Sequence, residues 1–195
     1  MKYFILPLAF AFFLGTGHLP AQFTFKPYIG INSANLSEDF QDEEFRSGLG
    51  YQIGADLMIG RRLFIQPGLN FEFSQIEVRG VEDISDMELS RINMPVMVGF
   101  KMFQEDVDKF FDIRVFTGPN ASFLANYSGG DGLEISSSEI RNFNLAWNAG
   151  VGVDLFMFFV DIGYKWGVND FFGRDVDNDA AINVFYGNAG LRFTF

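Results

Sequence analysis

The 195-residue sequence contains no cysteine, which excludes both disulfide bonds and thiolate metal sites. Its only histidine is His18, in an N-terminal stretch with the character of an export signal. Past that stretch the chain has no imidazole. Ser-His and Asp-His hydrolytic arrangements and imidazole metal ligands are therefore excluded. Positive charge is also scarce. Lys and Arg number 14 against 25 Asp and Glu, a net charge of −11. Nucleic acid is a poor partner for such a chain, because its phosphates need a cationic surface. No apolar run reaches the ~20 residues that a membrane-spanning helix requires.

Aromatic side chains, by contrast, are abundant, with 26 Phe, 6 Tyr and 2 Trp beside 21 Gly. That mixture suits strands and tight turns better than helices. Lys2 followed by the apolar residues 3–15 and by Leu19-Pro20-Ala21 has the form of a signal peptide cleaved before Gln22. We expect residues 1–21 to be removed and 22–195 to form one domain.

That domain shows no helical apolar period but alternates from end to end. Between Phe143 and Leu155 the odd positions are Phe, Leu, Trp, Ala, Val, Val and Leu. The even positions are Asn144, Ala146, Asn148, Gly150, Gly152 and Asp154, all small or polar. Successive side chains of a strand point to opposite faces, so one face is apolar and the other wet. The same alternation predicts strands near 23–34, 48–59, 63–75, 90–103, 110–125, 159–168 and 182–195. Their length suits tilted transmembrane strands.

The connections alternate too. Residues 60–62, 104–109 and 157–158 form short turns. Residues 37–47, 76–89, 126–141 and 169–181 form long polar loops. This predicts an all-β, eight-stranded antiparallel up-and-down transmembrane barrel with both termini on the short-turn, periplasmic side. Charge decides between it and a soluble barrel with an apolar bore. The polar parity carries five acids (Asp56, Glu72, Asp112, Asp154, Asp161) and five bases (Lys26, Lys101, Arg114, Lys165, Arg192). Such a balance suits a narrow bore in which each charge must find a partner. Eight strands enclose only enough room for side chains, so no open pore is expected. The excess acid lies in the loops, at Glu38 to Glu44, Glu77 to Glu88, Asp131 to Glu139 and Asp170 to Asp179. An acidic surface of this kind stays solvated, and it could bridge to lipopolysaccharide through divalent cations or face a basic partner.

No catalytic, cofactor or metal residues are expected. Asp175-Val176-Asp177-Asn178-Asp179 resembles the start of a calcium loop, but Ala180 and Tyr186 replace the required Gly and Glu. Gly150-Val151-Gly152 lies in no strand-to-helix context and does not read as a nucleotide loop. Its glycines instead leave room for long neighbours such as Lys165. Phe193-Thr194-Phe195 is the more specific feature, resembling the terminal signal read by the outer-membrane assembly machinery.

Taken in order, several segments resemble the PorT-like outer-membrane β-barrel family of Bacteroidetes. They are Gly30-Ile31-Asn32-Ser33-Ala34-Asn35-Leu36, Ile65-Gln66-Pro67-Gly68-Leu69-Asn70-Phe71-Glu72-Phe73-Ser74, and Ile92-Asn93-Met94-Pro95 through Lys101. Gly118-Pro119, Ala149-Gly150-Val151-Gly152-Val153-Asp154, Tyr164-Lys165-Trp166-Gly167 and the Phe195 ending follow. The resemblance implies a small non-enzymatic outer-membrane barrel surrounded by lipid and lipopolysaccharide, either membrane-structural or presenting its loops to an envelope or secretion-system protein. It implies no catalytic residue and no cofactor. The competing readings are a narrow channel or transporter and a carboxylate-based lipid-modifying enzyme.

Overall fold

The computed structural model describes residues 22–36, 44–79, 84–103, 110–129, 142–168 and 181–195. The proposed signal segment 1–21 lies outside them. The strands are β1 (Phe23–Leu36), β2 (Glu44–Gly60), β3 (Leu63–Arg79), β4 (Ile84–Lys101), β5 (Phe111–Gly129), β6 (Phe143–Leu155), β7 (Phe158–Gly167) and β8 (Ile182–Leu191). After Arg192 the last strand resumes as the two-residue β9 (Phe193–Thr194). Each strand pairs antiparallel with the next, and β1 pairs with β2 on one side and with β8 and β9 on the other. The sheet is closed: an eight-stranded up-and-down barrel, as the alternation predicts. Closure leaves no edge of unpaired N–H and C=O groups, a requirement in a solvent that cannot hydrogen-bond.

Several strands run past the ends that the alternation marks. Segment 76–89, expected as a loop, is mostly hairpin, with pairing continuing out to Arg79 opposite Ile84. Likewise β2 begins at Glu44 and β5 extends to Gly129. Outside a lipid layer a strand needs only its ladder hydrogen bonds, so the apolar parity of β3 can switch from odd, up to Phe73, to even, at Ile76 and Val78, while its pairing continues.

The two faces are inverted relative to a soluble barrel. Ile29 and Val151 are 68% and 51% exposed, whereas Lys26, Arg114 and Asp154 are 0% exposed. In water this apolar exterior would be an aggregation surface; in lipid it is the solvated face. Two aromatic bands bound it. Phe103 and Phe111 pack at 5.5 Å, and Phe110 and Phe156 at 6.4 Å, at the short-turn end. Toward the loop end lie the pairs Tyr51–Phe73 at 4.6 Å, Phe123–Phe143 at 5.2 Å and Tyr164–Trp166 at 4.8 Å. The indole N–H of Trp147 donates to Thr117 Oγ1 at 2.8 Å, so it brings no unpaired donor into the lipid.

The two-residue turn between β6 and β7 places Phe156 at φ 55°, an uncommon conformation for a residue with a Cβ. Three bonds hold it there. The Phe156 N–H donates to Phe110 O at 2.8 Å, Arg192 Nε donates to Phe156 O at 2.7 Å, and the Arg192 N–H donates to Met157 O at 2.8 Å.

Inside the bore, aromatic rings lie over glycines of the adjacent strand. A Cβ on Gly99 would come 2.2 Å from the Phe64 ring, one on Gly150 2.6 Å from the Phe116 ring, and one on Gly163 2.4 Å from the Tyr186 ring. Gly187 faces outward with nothing within 4 Å. Overpacking costs roughly 1–3 kcal/mol. Gly163→Ala should therefore lower the unfolding free energy of the refolded protein, from urea titration in micelles, by an amount in that range, while Gly187→Ala leaves it unchanged. Equal effects would mean that the rings do not set the interior packing.

Candidate functional site in the barrel lumen

Arg114 on β5 is the centre of the lumenal charge. Its Nη2 lies 2.8 Å from Asp154 Oδ1 and 2.7 Å from Asp161 Oδ1, and its Nε donates to Asp154 Oδ2 at 3.0 Å. Gly152 stands directly opposite on β6, where a Cβ would meet the guanidinium at 2.8 Å. Asp161 Oδ2 in turn accepts from Lys26 Nζ at 3.1 Å, and that ammonium sits 3.9 Å over the Phe159 ring. Arg192 reaches Asp154 Oδ2 at 3.1 Å. One network thus links β1, β5, β6, β7 and the junction of β8 with β9. Charged hydrogen bonds of this kind are short and directional, which suits them to fixing strand positions.

A second ion pair, Lys165–Glu72 at 2.6 Å, joins β7 to β3 across the bore. Amides fill much of the rest. Asn70 donates to the Tyr28 hydroxyl at 3.2 Å, Asn93 to Asn70 at 2.9 Å and Asn120 to Asn93 at 3.2 Å. The Ser122 hydroxyl closes this chain onto Asn93 Oδ1. Ser74 and Asn32 are joined at 3.0 Å, and Gln52 bonds Asn188. Met58, Phe64, Met97 and Phe116 form an apolar cluster on one wall.

Nine of the ten charged residues expected inside are buried there, and the tenth, Arg192, has a side chain only 8% exposed. The balance of five against five does not hold. Arg91, on the same parity as Asn93 and Lys101, is a sixth buried base. Nor is the pairing one to one. Asp154 and Asp161 each serve two cations, while Asp56 accepts from the amide of Gln66 at 2.6 Å. The glycines of β6 make room for Phe116 and Arg114 of β5, not for Lys165, because those side chains lean across the β5–β6 seam. The calcium-like segment 175–179 lies outside the described residues, as do most acids of the four loops. Among the described residues no three His, Cys, Asp or Glu side chains come together.

A lumenal void lined by Asp56, Gln66, Glu72 and Tyr186 has a volume of about 30 Å³, enough for about two waters, and a second beside Arg91 and Ser122 has about 20 Å³. Neither admits a solute.

An apolar outer band, a charged and packed interior and a closed sheet define a transmembrane β-barrel. The chain belongs to the outer membrane protein beta-barrel domain family, whose model matches residues 18–173, and so to the bacterial outer membrane. Among solved structures it resembles the outer membrane protein OprG from Pseudomonas aeruginosa, at 9% identity and a TM-score of 0.57, covering 92% of this chain and 98% of that one. It also resembles Neisserial surface protein A (NspA), at 11% identity and a TM-score of 0.52, covering 89% and 97%. These likenesses concern the fold alone. No curated protein matches the sequence.

Removing one partner of a buried ion pair costs about 3–5 kcal/mol, because the other charge is stranded. Arg114→Met should destabilise the refolded barrel by that order in urea titrations. Arg114→Lys, which keeps a positive charge between Asp154 and Asp161, should lose less than Arg114→Met. Equal losses would show that the two carboxylates do not depend on that charge.

Proposed function

We propose that the chain is a non-catalytic, non-conducting, PorT-like barrel that presents its four acidic loops to a protein of the envelope or a secretion apparatus. Residues 1–21 act as its export signal, both termini face the periplasm, and lipid and lipopolysaccharide surround the apolar band. The observation that carries this reading is the bore, filled with ion pairs and amides around a void of about 30 Å³. An eight-stranded barrel packed in this way offers solutes no path. The lumenal carboxylates of Glu72, Asp154 and Asp161 are engaged by bases, and the chain beyond His18 has no imidazole to activate a nucleophile or a water. That leaves the loops as the part of the molecule that meets other molecules. Their acids outnumber the bases Arg46, Arg79, Arg141 and Arg174, so the matching surface on a partner is basic.

Planar bilayers containing the purified barrel should show no conductance steps, including when Asp112 and Arg114 are neutralised. Resolved single-channel steps in the unmodified protein would replace this reading with that of a narrow channel. Cross-linking from the loops in intact cells should return an envelope protein. An altered lipid A mass spectrum on deletion of the gene would favour the enzymatic alternative.

A further inference from the structure

Four prolines, Pro27, Pro67, Pro95 and Pro119, lie inside strands of the barrel. A proline has no N–H to give to the ladder, and sheets normally confine it to edges and bulges. The closed sheet has no edge, and its register is unchanged across each of these positions. Between β2 and β3, pairing stops at Asp56 opposite Gly68 and resumes at Ile59 opposite Ile65. Between β3 and β4 it stops at Pro67 opposite Val96 and resumes at Asn70 opposite Asn93. Between β4 and β5 it stops at Pro95 opposite Asn120 and resumes at Val98 opposite Thr117. By register, Leu57, Gly68 and Val96 face Pro67, Pro95 and Pro119 and receive no bond from them. These three breaks adjoin and cross one wall of the barrel. The β1–β2, β5–β6, β6–β7 and β7–β8 seams are paired without a gap among the described residues.

The fourth proline, Pro27, interrupts the seam of β1 with β8 and β9, where other bonds hold the strands. Thr24 and Thr194 are joined at 3.0 Å, Phe195 N–H donates to Phe23 O at 2.8 Å, and Lys26 and Arg192 enter the ion-pair network. Each break between β2 and β5 is spanned instead by one side-chain amide bond on the bore side. Gln66 donates to Asp56 at 2.6 Å, Asn93 to Asn70 at 2.9 Å and Asn120 to Asn93 at 3.2 Å. All five of these residues, with Pro95, line the void of about 30 Å³, so water held there can replace each bond as it breaks. The apolar cluster of Met58, Phe64, Met97 and Phe116 lies on this wall, whereas the Arg114 network joins β5, β6, β7 and β1. Parting the strands here brings hydrocarbon against methionine and phenylalanine. Parting them at the network would bring it against buried charge.

We propose that the β2–β5 wall is a lateral opening unit, whose strands part at the proline breaks when the three amide latches release into the void, while the rest of the barrel stays closed. Such an opening is local, with a free energy below that of global unfolding. It joins the void to the lipid face of the wall and creates no path along the bore, so the barrel remains non-conducting.

The test is amide hydrogen exchange of the refolded full chain in lipid nanodiscs, followed residue by residue by NMR. The amides of Leu57, Gly68 and Val96 should exchange at least about tenfold faster than those of Val151 and Ile162 in the unbroken seams. Pro67→Val supplies the missing N–H opposite Leu57 and leaves the chemistry of the Leu57 amide unchanged, so it should slow exchange at Leu57. Asn93→Ala removes two of the three latches and should speed exchange at Gly68 and Val96 but not at Val151 or Ile162. Should that variant fail to fold, the unmodified chain and Pro67→Val decide the matter. Equal protection of the two sets of amides, unchanged exchange at Leu57 in Pro67→Val, or a uniform acceleration in Asn93→Ala would each overturn the proposal.

Discussion

A barrel of eight strands filled by side chains leaves little water in its bore to shield a charge, so an unpaired one there is costly. This chain nevertheless places eleven ionisable Asp, Glu, Lys and Arg side chains inside, and the rest of the structure follows from how they are arranged. Arg114 lies between Asp154 and Asp161, Asp161 reaches Lys26, and Asp154 reaches Arg192. The network therefore crosses the seam where the last strand meets the first, at which a closed sheet is either completed or left open. A buried ion pair contributes little net stability compared with a well-packed apolar substitute. Its value here is positional. A strand shifted by one residue would turn its charges into lipid and its apolar residues into the bore.

The outer surface obeys the complementary rule. Residues such as Ile29, Val151 and Ile162 are exposed because the surrounding solvent is hydrocarbon, and the aromatic bands mark where that solvent ends. Between the two faces the packing is completed by size. Phe64, Phe116 and Tyr186 fit into the bore only because Gly99, Gly150 and Gly163 lie beneath them. Small residues at these positions and large ones opposite are two halves of a single packing solution.

Most of the barrel is legible in the sequence, because a two-residue period with one apolar parity has few other physical readings. The stretch from Phe143 to Leu155 is the clearest case, and its observed exposure alternates as its residues do. Strand ends are not legible in this way. In β3 the apolar residues change from odd positions, up to Phe73, to even ones at Ile76 and Val78, with Glu77, Arg79, Asp86 and Glu88 nearby, so the pattern reads as a loop while the backbone goes on pairing. Arg91 shares the inward parity of Asn93 within the strand expected over 90–103, so the residue pattern itself carries this sixth base beyond the five counted. The amide chain of Asn70, Asn93 and Asn120 has a sequence signal only in retrospect, as asparagines on the inward parity of three successive strands. Which acid meets which base depends on strand tilt and stagger, and these are absent from the residue pattern.

The central claim is that strands face lipid and a filled bore at alternate positions. Because the chain contains no cysteine, single cysteines can be placed along β6 without removing any background. Spin labels attached from position 145 to 153, in refolded barrels in lipid bilayers, report contact with oxygen, which concentrates in lipid, and with a water-soluble nickel complex. Odd positions should show high oxygen and low nickel accessibility, and even positions low values of both. A flat profile, or nickel access at the even positions, would contradict a sealed, lipid-spanning barrel.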